Sequence, residues 1–366
     1  MFKVKGELLK DTVASLVKGA KKARLGEKTC FIKTEGSLVS LYFNGDDLQV
    51  EKSLEAEISA NLDIATSMAE LELKVNALPS DEDITVQLNG NLLYLRWGRN
   101  SKIVCEILAE TAPLIEIPKT VETIVWKPGV LQAYARTLPA FAAKTGSSNG
   151  NNNPVITGVH FSKEKDTGET YVRATNQYRA VTVKSPMTEW FEGVSFSIPT
   201  ESLQGLADIL SADGEVTIGM NEAKTLLVFK SGLTTAVTRV LVGVFPDIDN
   251  GYADYSANTK WIFDRMELID LCKRARQLSQ SRPALTIRSE NSKVTAELDS
   301  VLTQQIGAVA EGEVFNFKVD AEYIELAASL FRTEEVQILF KNESSPLTIV
   351  CEETDHIKAL IGQIKK

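Results

Sequence analysis

Histidine and cysteine are scarce in this 366-residue chain, and long apolar runs are missing. The two histidines, His160 and His356, leave few candidates for a base working near neutral pH. Neither stands beside a serine or cysteine nucleophile motif, so both read as structural. Cys30, Cys105, Cys272 and Cys351 are isolated, with no Cys-x-x-Cys pair and no neighbouring histidine. They read as reduced, buried thiols of a cytosolic protein, not as a metal or redox centre. No apolar stretch approaches the ~20 residues that cross a bilayer, and the opening Met-Phe-Lys-Val-Lys-Gly-Glu carries no apolar leader region. A cytoplasmic protein with no membrane partner is expected. His-Glu-x-x-His, Gly-x-Gly-x-x-Gly and a nuclease-type carboxylate cluster are all missing. Gly26-Glu-Lys-Thr29 echoes the end of a phosphate-binding loop but lacks the earlier glycine and the strand before it. Asp247-Ile-Asp249 reads better as a linker turn than as a divalent-cation site. No enzyme is expected, with no catalytic residue, no metal and no cofactor.

What is present is a pattern stated three times. Phe196-Ser-Ile-Pro199 leads into an apolar helical stretch through Leu203, Leu206 and Leu210, a polar turn, and Val216-Thr-Ile218. Phe315-Asn-Phe-Lys-Val319 leads into Tyr323, Leu326 and Leu330, a charged turn, and Val336-Gln-Ile338. A weaker first copy runs from Ala56-Glu-Ile58 through a helix around Ile64 to Leu78 and on to Ile84-Thr-Val86. Ile84, Val216 and Val336 lie 132 and 120 residues apart. That period is a whole small domain, so the chain divides into three, at 1–117, 118–250 and 251–366.

Each third opens with a helical pattern. Leu8, Leu9, Val13, Leu16, Val17 and Ala20 form a stripe between Glu7 and Arg24. The second helix starts at Pro128, and Pro139 should bend or divide it. The third starts after Asp264, a favourable N-cap. Alternating strands follow, among them Ser37–Phe43, Val155–Phe161 and Ala284–Ile287. The fold class is α+β: each unit sets two helices against antiparallel sheets. Pro113–Pro118 and Asp247–Asn258 read as connections between units. Thr145–Pro154, rich in Gly, Ser and Asn, reads as a mobile loop, with a polar finger to a partner or DNA as the alternative.

Charge placement carries the functional signal. The chain as a whole bears −9, yet the first opening helix bears +3 from Lys10, Lys18, Lys21, Lys22 and Arg24 against Glu7 and Asp11. The second carries Arg136 and Lys144 with no acid between Pro128 and Lys144. In the third, Arg265, Lys273, Arg274 and Arg276 outnumber the acids. One such helix would be an ordinary solvated face. Three at equivalent places suit a phosphate backbone followed without base reading. Lys10, Lys18, Lys21, Lys22, Arg24, Arg136, Lys273, Arg274 and Arg276 are the candidate DNA-facing residues.

Five further segments carry a resemblance. Asn153-Pro-Val-Ile-Thr-Gly-Val-His-Phe161, Ala174-Thr-Asn-Gln-Tyr-Arg-Ala-Val181, Phe196-Ser-Ile-Pro199, Gly243-Val-Phe-Pro-Asp247 and Ser344-Ser-Pro-Leu347 follow one another in the order of the bacterial-type sliding clamps, the DNA polymerase III beta subunits. Together with the threefold repeat the chain resembles that family over its whole length. The resemblance implies a crescent of three clamp domains that closes head to tail with a second copy into a ring around duplex DNA. It further implies a processivity factor that tethers a DNA polymerase and is opened by an ATP-driven clamp loader. The alternative is a clamp-like regulatory protein that binds replication proteins without being loaded on DNA. The resemblance also implies a partner-peptide pocket at Val159, Thr175, Tyr178, Arg179, Val181, Pro246, Pro346, Leu360, Ile361 and Ile364. There the chain departs from its family. Gln177-Tyr178 replaces the usual Gly-His, and Ala180 replaces a Leu. Leu360-Ile-Gly-Gln-Ile-Lys-Lys366 stands where Met-Pro-Met-Arg-Leu is common. Such departures fit a divergent clamp, for instance one of a phage or mobile-element replisome.

Overall fold

A computed structural model describes residues 1–23, 29–110, 117–257, 259–290, 293–313, 316–342 and 344–364. Seven α-helices are present among them: α1 (Gly6–Lys22), α2 (Met68–Asn76), α3 (Val130–Thr137), α4 (Ser148–Asn152), α5 (Thr200–Ile209), α6 (Arg265–Leu278) and α7 (Ala321–Ala328). The strand pairs among the described residues run antiparallel, as the hairpin-like sequence spacing predicts.

Local chemistry sets the helix ends. The Asp264 carboxylate accepts from Glu267 N at 2.7 Å and starts α6, and Asp320 Oδ1 accepts from Glu322 N at 3.0 Å to start α7. Pro139 ends α3, and the chain tightens into a 3-10 turn over Leu138–Phe141, because proline cannot donate to the preceding turn. The polar stretch after it differs from expectation. Ser147 Oγ accepts from Gly150 N at 3.2 Å and caps α4, and Pro154–Thr157 forms a further 3-10 turn. It is therefore ordered by side-chain caps and not an open loop. In the first repeat, residues Ile64–Ser67 belong to a strand, Asp63–Ser67, and the helix begins only at Met68. That strand is the counterpart of Phe196–Pro199 and Asn316–Asp320 before α5 and α7.

Contacts gather the chain into two compact units. The first comprises 1–136, 189–192 and 198–241; the second comprises 137–188, 193–197 and 242–366. In the first, an eight-stranded sheet joins Thr234–Arg239 to Leu48–Glu55. A five-stranded sheet ends in the edge strand Ser101–Glu106. In the second, Arg179–Ser185 pairs with Ile357–Ile361, and a four-stranded sheet ends in the edge strand Leu302–Ile306. Both large sheets thus run through sequence positions assigned to different thirds.

Within the first unit α1 packs on α5, and glycine makes the approach possible. A β-carbon on Gly19 would lie 2.0 Å from Ile209 Cδ1, and one on Gly205 would lie 2.7 Å from Leu48 Cδ2. Ile209 and Leu48 are themselves buried, so neither has free space to retreat into. Gly19→Val should therefore cost about 2–3 kcal/mol of stability through overpacking. Ala14→Val, on the half-buried side of the same helix, should cost under ~1 kcal/mol. Urea denaturation of the two variants checks the difference, and equal midpoints would refute the close-packing account.

Candidate DNA-facing helices and partner pocket

The cationic side chains of α1 divide into two groups. Lys10 Nζ donates to Ser80 Oγ at 3.1 Å, and Lys21 forms a 3.2 Å ion pair with Glu72 of α2. Lys18 and Lys22 are exposed and have no carboxylate partner among the described residues. Arg24 lies outside the described residues. Arg136 is exposed at the end of α3. On α6, Lys273 pairs with Asp270 at 3.6 Å, Arg274 Nε donates to Gln304 Oε1 at 3.2 Å, and Arg276 pairs with Glu325 at 2.7 Å. Ion pairs this exposed are worth ~0–1 kcal/mol, so an incoming phosphate could exchange with them at little cost. Lys52, outside the candidate group, donates to Ser15 Oγ on α1 at 2.9 Å, and burial lowers its pKa.

The second unit contains a cavity of about 280 Å³. Thr175, Tyr178, Arg179, Pro246, Pro346 and Leu360, six of the positions the family resemblance names, line it. Gln177, Ala180, Asp247, Ile248, Gly251 and Gly362 complete the wall. Val159, Val181 and Ile361 do not line it. Strand alternation decides this: Ala180 pairs with Leu360 and shares its face, whereas Val181 and Ile361 point to the opposite, fully buried face. Ile364 is half-buried outside the cavity, its N–H donating to Lys318 O at 2.7 Å. The missed residues Ala180, Gly251 and Gly362 carry no chemical signal of their own; only Ala180 is within reach of the parity of its strand.

Arg179 borders the cavity, but it pairs with Ile361 and its side chain leaves on the opposite, helix-side face. Its guanidinium lies 4.5 Å above the Tyr323 ring, donates to Ala140 O at 2.5 Å, and sits 3.8 Å from Glu322. Burial lowers its pKa, with Tyr323 and then Glu322 acting in the opposite direction. At the mouth, Tyr178 is 55% exposed, so its amphipathic ring faces solvent. Gln177 holds φ +76°, a backbone conformation that favours glycine.

The segment with Pro246, Asp247, Ile248 and Gly251 crosses the same outer sheet face. Phe245 stacks on the His160 ring at 4.4 Å with an interplanar angle of 7°. His160 Nδ1 and Ser197 Oγ are hydrogen-bonded at 2.9 Å, so this histidine is structural, as expected. Asp247 accepts from Asp249 N at 3.0 Å and from Asn250 Nδ2 at 2.6 Å, so its carboxylate closes a turn.

Known proteins share this geometry. Residues 140–247 match the family model of the DNA polymerase III beta subunit, central domain. The beta sliding clamp of Staphylococcus aureus is 24% identical over 245 residues. That alignment spans 64% of this chain and 64% of the relative, slightly under two thirds of its length. The DNA polymerase III beta chain from Streptococcus pneumoniae superposes over 100% of this chain and 99% of its own, with TM-score 0.87 and 20% identity. The DnaN sliding clamp from Bartonella birtlesii, solved bound to griselimycin, covers the same shares with TM-score 0.88 and 16% identity. The whole chain therefore has the fold of these beta subunits, and residues 140–247 match the family model of their central domain.

Burial, and second the charge of Arg173, lower the His160 pKa from 6.5 to about 4. The imidazole is neutral in both folded and unfolded chains above pH 6.5. Between 6.5 and 4 the unfolded chain binds a proton that the folded one refuses, so stability is lost as the pH drops from 6.5 to 4. The loss should be on the order of 3 kcal/mol, and absent in His160→Gln. Guanidinium unfolding at pH 7 and pH 4 for both proteins checks this, and parallel losses would show that His160 is not responsible.

Proposed function

We propose that this chain is a sliding clamp, a processivity factor that encircles duplex DNA and tethers a DNA polymerase without catalysis of its own. What carries the reading is the coincidence of a full-length clamp fold with cationic opening helices in a protein of net charge −9. In this reading the chain comprises clamp domains 1–117, 118–250 and 251–366. Lys10, Lys18, Lys21, Lys22, Arg136, Lys273, Arg274 and Arg276 face the phosphates, joined by Arg24. Contacts of that kind are weak singly and independent of sequence, as sliding requires. Retention comes from topology, and tethering raises the polymerase's concentration at the primer end.

Closure uses a second copy placed head to tail. The edge strands Ser101–Glu106 and Leu302–Ile306 each present unpaired backbone groups to a partner strand. They belong to different sheets, which is what a heterologous, ring-forming contact needs. An ATP-driven loader opens the ring, and the cytoplasm is its compartment. The 280 Å³ cavity receives a peptide of the polymerase or of another replication protein, its apolar wall holding the side chains.

On circular primed DNA, chain loaded by its cognate loader with ATP should stay bound through gel filtration and be lost once the circle is cut. Lys18→Ala combined with Lys22→Ala should reduce the salt dependence of DNA association by about two phosphate equivalents. Sedimentation should give about twice the 40.2 kDa chain mass. Equal loss from circular and linear DNA would overturn the clamp reading.

A further inference from the structure

We infer that Arg173 is a positioning residue for the partner pocket: through Asp249 it clamps the segment from Phe245 to Tyr252 onto the sheet and so fixes one wall of the cavity. The inference rests on the pocket reading above and adds to it residues outside the pocket lining.

The wall-forming segment has no strand pairing of its own and holds one short 3-10 turn, Asp249–Gly251. Its position must come from side chains that reach the sheet beneath. Strand alternation puts His160, Arg173, Thr182 and Leu360 on that outer face: His160 pairs with Arg173, Arg173 with Thr182, and Ala180, two residues before Thr182, pairs with Leu360. The segment meets them in order. Phe245 lies on His160, Asp249 on Arg173, Gly251 over Leu360, and Tyr252 Oη donates to Thr182 Oγ1 at 3.1 Å. A β-carbon on Gly251 would approach Leu360 Cδ2 to 2.7 Å, so the fit leaves no slack there.

Among these contacts Arg173 has the greatest leverage. Its side chain is 9% exposed, which is unusual for a guanidinium on a sheet face. It donates Nη2 to Asp249 Oδ2 at 2.7 Å, Nε to Oδ1 at 3.4 Å, and Nη1 to Ser162 Oγ at 2.7 Å. Its guanidinium carbon lies 4.6 Å from the Tyr171 ring centre, and Glu164 is 3.5 Å from Nη2. Two-point pairing with a carboxylate fixes orientation as well as distance. Losing Asp249 leaves a buried cation with one hydroxyl and a more distant carboxylate, so the pair is strongly coupled. Asp249 itself is half exposed, which makes it a safe position to alter without collapsing the core.

Asp249→Asn, Arg173→Met and the double variant test the clamp, with Arg173→Lys as the conservative replacement. Hydrogen exchange followed by mass spectrometry should show amides of 245–253 exchanging about tenfold faster in each single variant. The double variant should show no further increase, and Arg173→Lys a smaller one. Amides of Thr259–Asp264 and Glu335–Phe340 should stay protected. In a second measurement Leu360→Cys, under the segment, is labelled with 5,5′-dithiobis(2-nitrobenzoic acid); the four native cysteines are buried and should react slowly. Its labelling rate should rise about fivefold or more when Asp249→Asn is added. Unchanged exchange at 245–253 together with unchanged labelling would overturn the inference. Faster exchange in a chain that is never retained on circular DNA would leave the clamp of the wall standing and remove the sliding-clamp reading instead.

Discussion

The antiparallel pairing of Arg179–Ser185 with Ile357–Ile361 is the constraint on which the second unit depends. Its register sets Ala180 opposite Leu360 and Val183 opposite Ile357, with Thr348 beside Leu360 on the next strand. A shift of one residue would send Leu360 to the covered face and bring Ile361 to the outer one. The cavity would lose its floor, and Gly251 would face a different side chain. The hairpin that supplies Thr175, Tyr178 and Arg179 is carried by the same strand, so cavity wall and floor share one register. Segments about 180 residues apart in sequence are thereby held to the precision of a single ladder.

That dependence explains what is legible in the sequence. Helix starts are local events: Asp264 and Asp320 announce α6 and α7 by chemistry confined to three residues, and Pro139 announces its own break. The repeat of apolar spacing is equally visible. The first copy is harder, because Asp63–Ser67 alternates weakly and Ile64 and Ala65 continue smoothly into the apolar positions of α2. Caps hidden in a Gly, Ser and Asn stretch give α4 the composition of a loop. For the pocket, the family resemblance names six residues that line the cavity but does not carry the parity of the others. Val181 and Ile361 are apolar and near, yet the register that turns them inward is a long-range property.

Charge follows a similar division. The excess of lysine and arginine on the opening helices is plain in the sequence, while their pairing is not. Lys21, Lys273 and Arg276 each find a carboxylate, and Lys18 and Lys22 find none among the described residues. The paired group is oriented but stays available to a competing anion, since exposed pairs contribute at most about 1 kcal/mol. Under the clamp proposal, a surface that slides along phosphates would gain from this mixture. Contacts that were individually strong would set register on DNA, which the proposed sliding ring would have to lack.

The hairpin at the cavity mouth shows how the chain diverges without losing the site. Gln177 occupies a conformation, φ +76°, that a side chain makes costly by roughly 1–2 kcal/mol. The turn is nevertheless tied at several points. Gln177 N donates to Thr175 Oγ1 at 3.1 Å, and Asn176 Oδ1 accepts from both Tyr178 N and Arg179 N, at 3.0 and 2.9 Å. Asn176 N donates to Arg179 O at 3.1 Å and closes the reversal. These bonds hold the backbone on the path that glycine would take freely. On this path Arg179 reaches Tyr323, and the floor meets Gly251. Two new side chains, Gln177 and Tyr178, stand at the entrance in place of Gly-His. Divergence therefore changes which side chains stand at the mouth, while the tied turn keeps the backbone that borders the cavity.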